Sequence, residues 1–266
     1  MQQDFVHLHL HSEFSLSDGI IRIEDLVEKS SDLSFSAVAL TDLTNLFGLI
    51  KFYRLARKQG IKPIVGSEIK VAKDLDSQSG SLVLLVINKT GYTNLTKLVS
   101  KAYVEGQVSG EPIVKLSWLE EYSEGLIALS GGIDGHIGQS ILGGNEILTN
   151  SRVDYFNNLF KGNFFIEIQR LGKNNETEYN QKVIDLAMQK KIPLVATNDV
   201  RFLMPVDPDV SPSDFEAHEA RVCIQKGQAL DDPRRSKDFV ENQYLRSPEE
   251  MKELFIDLPE ALENTV

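Results

Sequence analysis

Near the start of the chain, Val6-His7-Leu8-His9-Leu10-His11 alternates aliphatic and imidazole side chains. Successive side chains of an extended strand point to opposite faces, so this spacing predicts the histidines on one face and the aliphatics on the other. Such a row has two explanations. Each ring can be a core histidine satisfied by hydrogen bonds, or His9 and His11 can converge on one metal ion, as imidazoles two apart on a strand do. Two carboxylates bear on the choice: Glu68 falls late in a candidate strand and Asp199 just after another. Singly, Glu68 reads equally as a solvated strand residue and Asp199 as a turn cap. Brought to one rim with His9 and His11 they would form a donor set, because a buried carboxylate needs a cation or a metal.

The elements that must position these groups follow from hydropathy. Short β-branched or apolar runs alternate with longer stretches of helical period, the pattern of repeated β-then-α units around a parallel sheet. Strands are expected over 5–10, 37–41, 63–71, 82–88, 126–130, 164–169 and 193–197. Helices are expected over 23–33, 45–59, 92–105, 137–142 with 154–160, and 176–190. In a barrel of parallel strands, functional groups gather after the strand C-termini. Thr41, Asp42, Ser130 to Gly132, Arg170, Asn198, Asp199 and Arg201 all fall there. Thr41, Asp42 and Asn45 also suit turns and caps.

Pro205, Pro208 and Pro212 end the repeating pattern. Beyond them, Ser213 with Glu216 starts a capped helix over 213–226, and 231–242 is charged and irregular. Ser247-Pro248-Glu249-Glu250 opens another helix. The organisation expected is a barrel over 1–212 and a helical extension over 213–266. The stretch from Pro259 to Val266 reads as a helix start without a stop signal, so the chain is expected to be a fragment.

With 266 residues and 41% hydrophobic content, the chain is long enough for a large α/β domain. Its net charge of -11 argues against a surface built to hold a phosphodiester backbone. The run around Arg234, Arg235 and Lys237 reads first as a solvated loop. A lone cysteine, Cys223, forms no internal disulfide, and neither a signal pattern nor a long apolar run is present, so a cytoplasmic location is expected and no membrane association.

Five stretches resemble the PHP (polymerase and histidinol phosphatase) domain of bacterial replicative polymerase III alpha subunits. They are Phe5 to Ser15, Asp18-Gly19, Leu40 to Gly48, Gly60 to Glu68 and Val195 to Phe202. Gly91 to Tyr103 and Asp214 to Val222 look like the polymerase version rather than a free-standing PHP enzyme. The resemblance implies an α/β fold with a distorted seven-stranded (β/α)7 barrel that holds up to three metal ions when its site is intact. It places ligand positions at His9, His11, Asp18, Leu43, Glu68, Ser81, Gly132, Asp199 and Arg201. Leu43, Ser81, Gly132 and Arg201 stand where the family has histidine, histidine, cysteine or histidine, and histidine. In the family arrangement His9, His11, Glu68 and Asp199 share one ion; Asp18 is then a vestige of a second site.

The resemblance therefore implies one Zn or Mn ion in a structural role, with no ion as the alternative. Arg201 could replace a lost ion by pairing with Asp18 or a nearby carboxylate, or could point to solvent. The function implied is that of a scaffold in a DNA-directed DNA polymerase. It would support the rest of the alpha chain, dock a separate proofreading exonuclease subunit, and meet DNA only indirectly. The alternative is an active metal-dependent phosphoesterase, a pyrophosphatase or 3′-end hydrolase. An amino-acid-pathway phosphatase ranks third. Polymerase chemistry itself falls on no residue of this chain.

Overall fold

The computed structural model describes residues 5–16 and 18–266. One sheet contains β1 (Ala37–Leu40), β2 (Lys62–Ala72), β3 (Gly80–Val86), β4 (Gln107–Val108), β5 (Glu111–Lys115), β6 (Leu126–Leu129), β7 (Phe164–Ile168) and β8 (Leu194–Ala196). The order is β4-β5-β2-β3-β6-β7-β8, with β1 paired to β2. Around it lie α1 (Ile23–Asp32), α2 (Leu49–Lys58), α3 (Lys89–Glu105), α4 (Leu116–Tyr122), α5 (His136–Leu142), α6 (Glu146–Phe160) and α7 (Glu176–Lys190). The extension adds α8 (Asp214–Lys226), α9 (Pro248–Leu254) and α10 (Pro259–Glu263). The α/β class is as expected. Ser213 and Ser247 each close a capping box, with Glu216 and Glu250.

Three departures from the expected strands have physical causes. β3 runs antiparallel to both β2 and β6. Residues 73–79 alone join it to β2, too few for the crossover of a dozen or more residues that a parallel return needs. β4 and β5 form an unforeseen hairpin whose turn, Ser109 at φ 51° and Gly110 at φ 87°, has the left-handed pair that tight hairpins favour. The third departure is at residues 5–10, which are extended without forming a regular strand.

That segment nonetheless joins β1 to the stretch just after β8. On one side Ala39 N donates to His7 O and Thr41 N to Leu10 O; on the other, Val200 N donates to His9 O and His11 N to Val200 O. Between the first two bonds the segment advances from residue 7 to 10 while β1 advances from 39 to 41, so one residue is extra. This is the count of a β-bulge, and a bend falls at His9. The bulge breaks the alternation. His7 packs edge-on to Phe5 and Phe35, whereas His9 and His11 face each other with ring centroids 5.3 Å apart. The expectation of three histidines on one face is thus corrected: His7 is a core histidine, its Nε2 2.9 Å from Arg246 O.

The interior enclosed by this path is layered. Val6, Leu8, Ala37, Ala39, Val83, Leu85, Leu129 and Val195 form an apolar floor. Continuing two residues at a time along the same faces leads to Glu68, Glu167, Thr197 and Asp199, and back along the reversed β3 to Ser81. A larger core lies between sheet and helices, and Leu245, Met251, Phe255, Ala261 and Leu262 of the extension belong to it.

Candidate metal centre

Above the apolar floor, one ring nitrogen each of His9 and His11 and a Glu68 carboxylate oxygen lie within 4.8 Å of one another, all on buried residues. Glu68 Oε2 is 3.4 Å from His9 Nε2 and 3.0 Å from His11 Nε2. The latter pair lacks hydrogen-bond alignment, and His11 Nε2 has no hydrogen-bond partner among the described residues. A buried imidazole nitrogen aimed at a carboxylate oxygen without bonding to it fits a metal ligand. Asp199 Oδ1 is 3.6 Å from His9 Nε2 and 3.8 Å from His11 Nε2, close enough to be a fourth donor. Asp199 has φ 41°, a left-handed conformation that carries strain in a residue other than glycine.

Beside these donors lies Arg201, 5% exposed and not in solvent. Its Nη1 is 2.6 Å from Asp18 Oδ2, and its Nη2 is 2.6 Å from Asp199 Oδ1 and 3.4 Å from Glu68 Oε2. Nε adds a 2.8 Å bond to Asp199 Oδ1, and Phe239 covers the guanidinium at 5.3 Å. The other Asp199 oxygen accepts from Gln243 Nε2 at 2.7 Å and lies 3.6 Å from Lys173 Nζ. Glu68 Oε1 accepts from Ser81 Oγ at 2.5 Å, and Lys70 Nζ donates to that hydroxyl at 2.6 Å. Cations of the protein itself therefore surround the carboxylates.

The charges respond accordingly. Burial opposes ionisation of Glu68, yet Lys70 and the facing imidazoles of His11 and His9 hold its carboxyl well below the usual range. Burial likewise opposes Asp199, and Arg201, His9 and Lys173 overcome it, pulling its carboxyl strongly down. For His9, burial would depress the imidazolium, but Glu167 and Asp199 outweigh it and lift the pKa to about 10. Lys173 is raised, its desolvation outweighed by Asp199 and Asp134.

Of the other positions that the resemblance singles out, Leu43, Gly132 and Arg201 offer no metal-donor atom. Leu43 bridges to Glu68 through backbone only. Gly132 has φ 58°, and a Cβ there would come within 3.1 Å of Gln169 Oε1, so Gln169 fills the space a ligating side chain would use. The Asp18 carboxylate pairs with Arg201, while its backbone carbonyl lies 3.0 Å from His218 Nε2.

Several contributors carried weak sequence signals. Glu167 is fully buried in β7 and accepts from Gln169 Nε2, Gly131 N and Thr197 Oγ1 while contacting His9 Nδ1. A lone acid in Phe-Phe-Ile-Glu-Ile was its trace. Asp42, read as a turn or cap residue, instead sits buried against Ser12 and Ser15. Asn45 does cap its turn, accepting from Phe47 N. Gln243 had no signal at all. The site opens into a cleft of about 800 Å³, walled on the far side by residues 237–242 of the extension.

A family model described as the PHP domain matches residues 7–171. The chain is 46% identical over 267 residues to DNA polymerase III subunit alpha of Pseudomonas aeruginosa, covering 100% of this chain and 22% of that protein. It is 46% identical over 263 residues to the same subunit of Escherichia coli K12, covering 98% and 22%. The chain thus spans about a fifth of the length of these relatives, matching their N-terminal region. A solved structure from Bifidobacterium adolescentis, named by inference a metal-dependent phosphoesterase, aligns with TM-score 0.51 at 12% identity over 74% of this chain and 87% of that one. That likeness concerns the fold. No helix among the described residues is long and apolar enough to cross a membrane.

Proposed function

The chain belongs to the PHP domain family, and from that premise we propose that it is a scaffold of a replicative polymerase alpha subunit with a reduced metal centre. One zinc or manganese ion would be held by His9, His11 and Glu68, with Asp199 as the fourth donor. Such an ion supplies Lewis acidity and a fixed positive charge. Arg201 takes the place of a second, since one guanidinium already serves Asp18, Asp199 and Glu68. This buried guanidinium is the observation that carries the proposal. Multi-metal hydrolysis needs a further open cation position where phosphate can be clamped, and a protein cation with its donors committed offers none.

The 46% identity to polymerase III alpha along the whole chain supports the scaffold role, with the rest of an alpha chain as one partner; a proofreading exonuclease subunit is the second partner in this reading. Elemental analysis tests the metal part: one zinc or manganese per chain is expected, lost in His9→Ala and His11→Ala. Substoichiometric metal in the wild type would sink it. Gel filtration with the exonuclease subunit tests the docking part, and separate elution would reject it. The open cleft beside His9 and Glu68 favours a second reading, an active phosphoesterase. Hydrolysis of pyrophosphate with added manganese or zinc, abolished by Glu68→Ala, would establish it.

A further inference from the structure

Both candidate imidazole ligands are tethered through Nδ1, and both tethers end on buried carboxylates that lie outside the donor set. His9 Nδ1 is 2.7 Å from Glu167 Oε1. An ionised carboxylate only accepts, so the proton must sit on His9 Nδ1. Glu167 cannot swing away, because Gly131 N, Gln169 Nε2 and Thr197 Oγ1 all donate to it as well.

His11 reaches its carboxylate through a relay. Its Nδ1 is 2.8 Å from Ser15 Oγ, and Ser15 Oγ donates to Asp42 Oδ1 at 3.0 Å. Asp42 Oδ1 also accepts from Ser12 N at 2.6 Å, so it serves as an acceptor here. A hydroxyl has one proton. With that proton directed at Asp42, Ser15 Oγ can only accept from the ring, and His11 Nδ1 must be the donor.

The consequence is the same for both rings: Nδ1 is committed, and Nε2 is turned toward Glu68 Oε2. We propose that Glu167 and the Ser15–Asp42 pair are positioning residues, keeping the proton on Nδ1 of His9 and His11 so that Nε2 is the atom each ring turns toward one divalent ion and frees for it. Neither carboxylate touches the ion. They act by fixing ring orientation and raising ligand basicity, as partners of metal-bound histidines do. The inference rests on the one-ion reading above.

The test compares wild type with Glu167→Gln, Asp42→Asn and Ser15→Ala, the last changing no charge and removing a single oxygen. Zn²⁺ affinity is measured by competition with a chromophoric chelator, and fold by melting in EDTA. Folded variants are expected to bind zinc about 10–100-fold more weakly. Wild-type affinity in folded Glu167→Gln and Ser15→Ala would overturn the proposal. Two-bond ¹H–¹⁵N spectra of the imidazoles, recorded without zinc and at a pH above the raised pKa of His9, provide the independent readout. Protonated Nδ1 on both rings of the wild type, with loss of that confinement at His9 in Glu167→Gln and at His11 in Ser15→Ala, is expected. If wild type takes up no zinc, the one-ion reading fails and these spectra decide the positioning alone. Unchanged tautomers in every variant would reject it.

Discussion

At the scale of single residues, the centre is governed by one guanidinium among three carboxylates. Arg201→Ala would leave Asp18, Asp199 and Glu68 without their shared cation in a buried site. A loss of about 3–5 kcal/mol is expected from breaking such a pairing, read as a lower urea midpoint, with part recovered in Arg201→Lys. A wild-type midpoint in Arg201→Ala would contradict the account. His7 gives a pH signature. Burial, against a hydrogen bond to Arg246 O, depresses its pKa from 6.5 to about 4. Above 6.5 both folded and unfolded forms are neutral. As pH falls toward about 4 the unfolded chain binds a proton that the folded one refuses. Relative to His7→Gln, the wild type should therefore lose on the order of 3 kcal/mol across that window. His9 has the opposite sign in the metal-free protein: its pKa is raised to about 10, so its stabilisation is full below 6.5 and disappears as pH rises through about 10.

At the scale of elements, the sequence was legible where a local rule decides the outcome. Ser213 and Ser247 announced α8 and α9 through their capping boxes. Replacing either by alanine should cost about 1 kcal/mol, measurable by thermal melting. Gly91 in α3 makes a different demand: a Cβ there would fall 1.8 Å from Gly125 O, so Gly91→Ala should lower stability by more than either cap variant. What stayed illegible depended on pairing at a distance. The one-residue bulge at 7–10 exists only relative to β1, and no pattern within Val6 to His11 encodes it. The reversal of β3 was implicit in the short 73–79 connection but invisible to apolar periodicity. Glu167 looked like an interruption of a strand, because its partners come from residues 9, 131, 169 and 197.

At the scale of the whole molecule, strands and extension are knitted together. Gln243 O accepts from Arg201 N, Leu245 N donates to Phe202 O, and Asn264 Nδ2 donates to Leu194 O. Thr265 Oγ1 accepts from Val6 N. Met251, Phe255 and Leu262 complete the core that the helices share with the sheet. A chain ending at residue 212 should accordingly melt less cooperatively and be cut faster by protease than the full chain. Equal resistance would mean that 1–212 stands alone as a domain. The net charge of -11 carries its own expectation: fluorescence anisotropy with duplex DNA at physiological salt should show no saturable binding by this chain.

The cation in the carboxylate cluster is part of the polypeptide, and this changes when the site is charged. An ion must be captured from a dilute pool, can be exchanged for a competitor, and leaves when that pool is depleted. Arg201 arrives with translation and sits beside Asp18, Asp199 and Glu68 at a local concentration no buffer can alter. Assembly of this rim is thus uncoupled from the cell's metal supply.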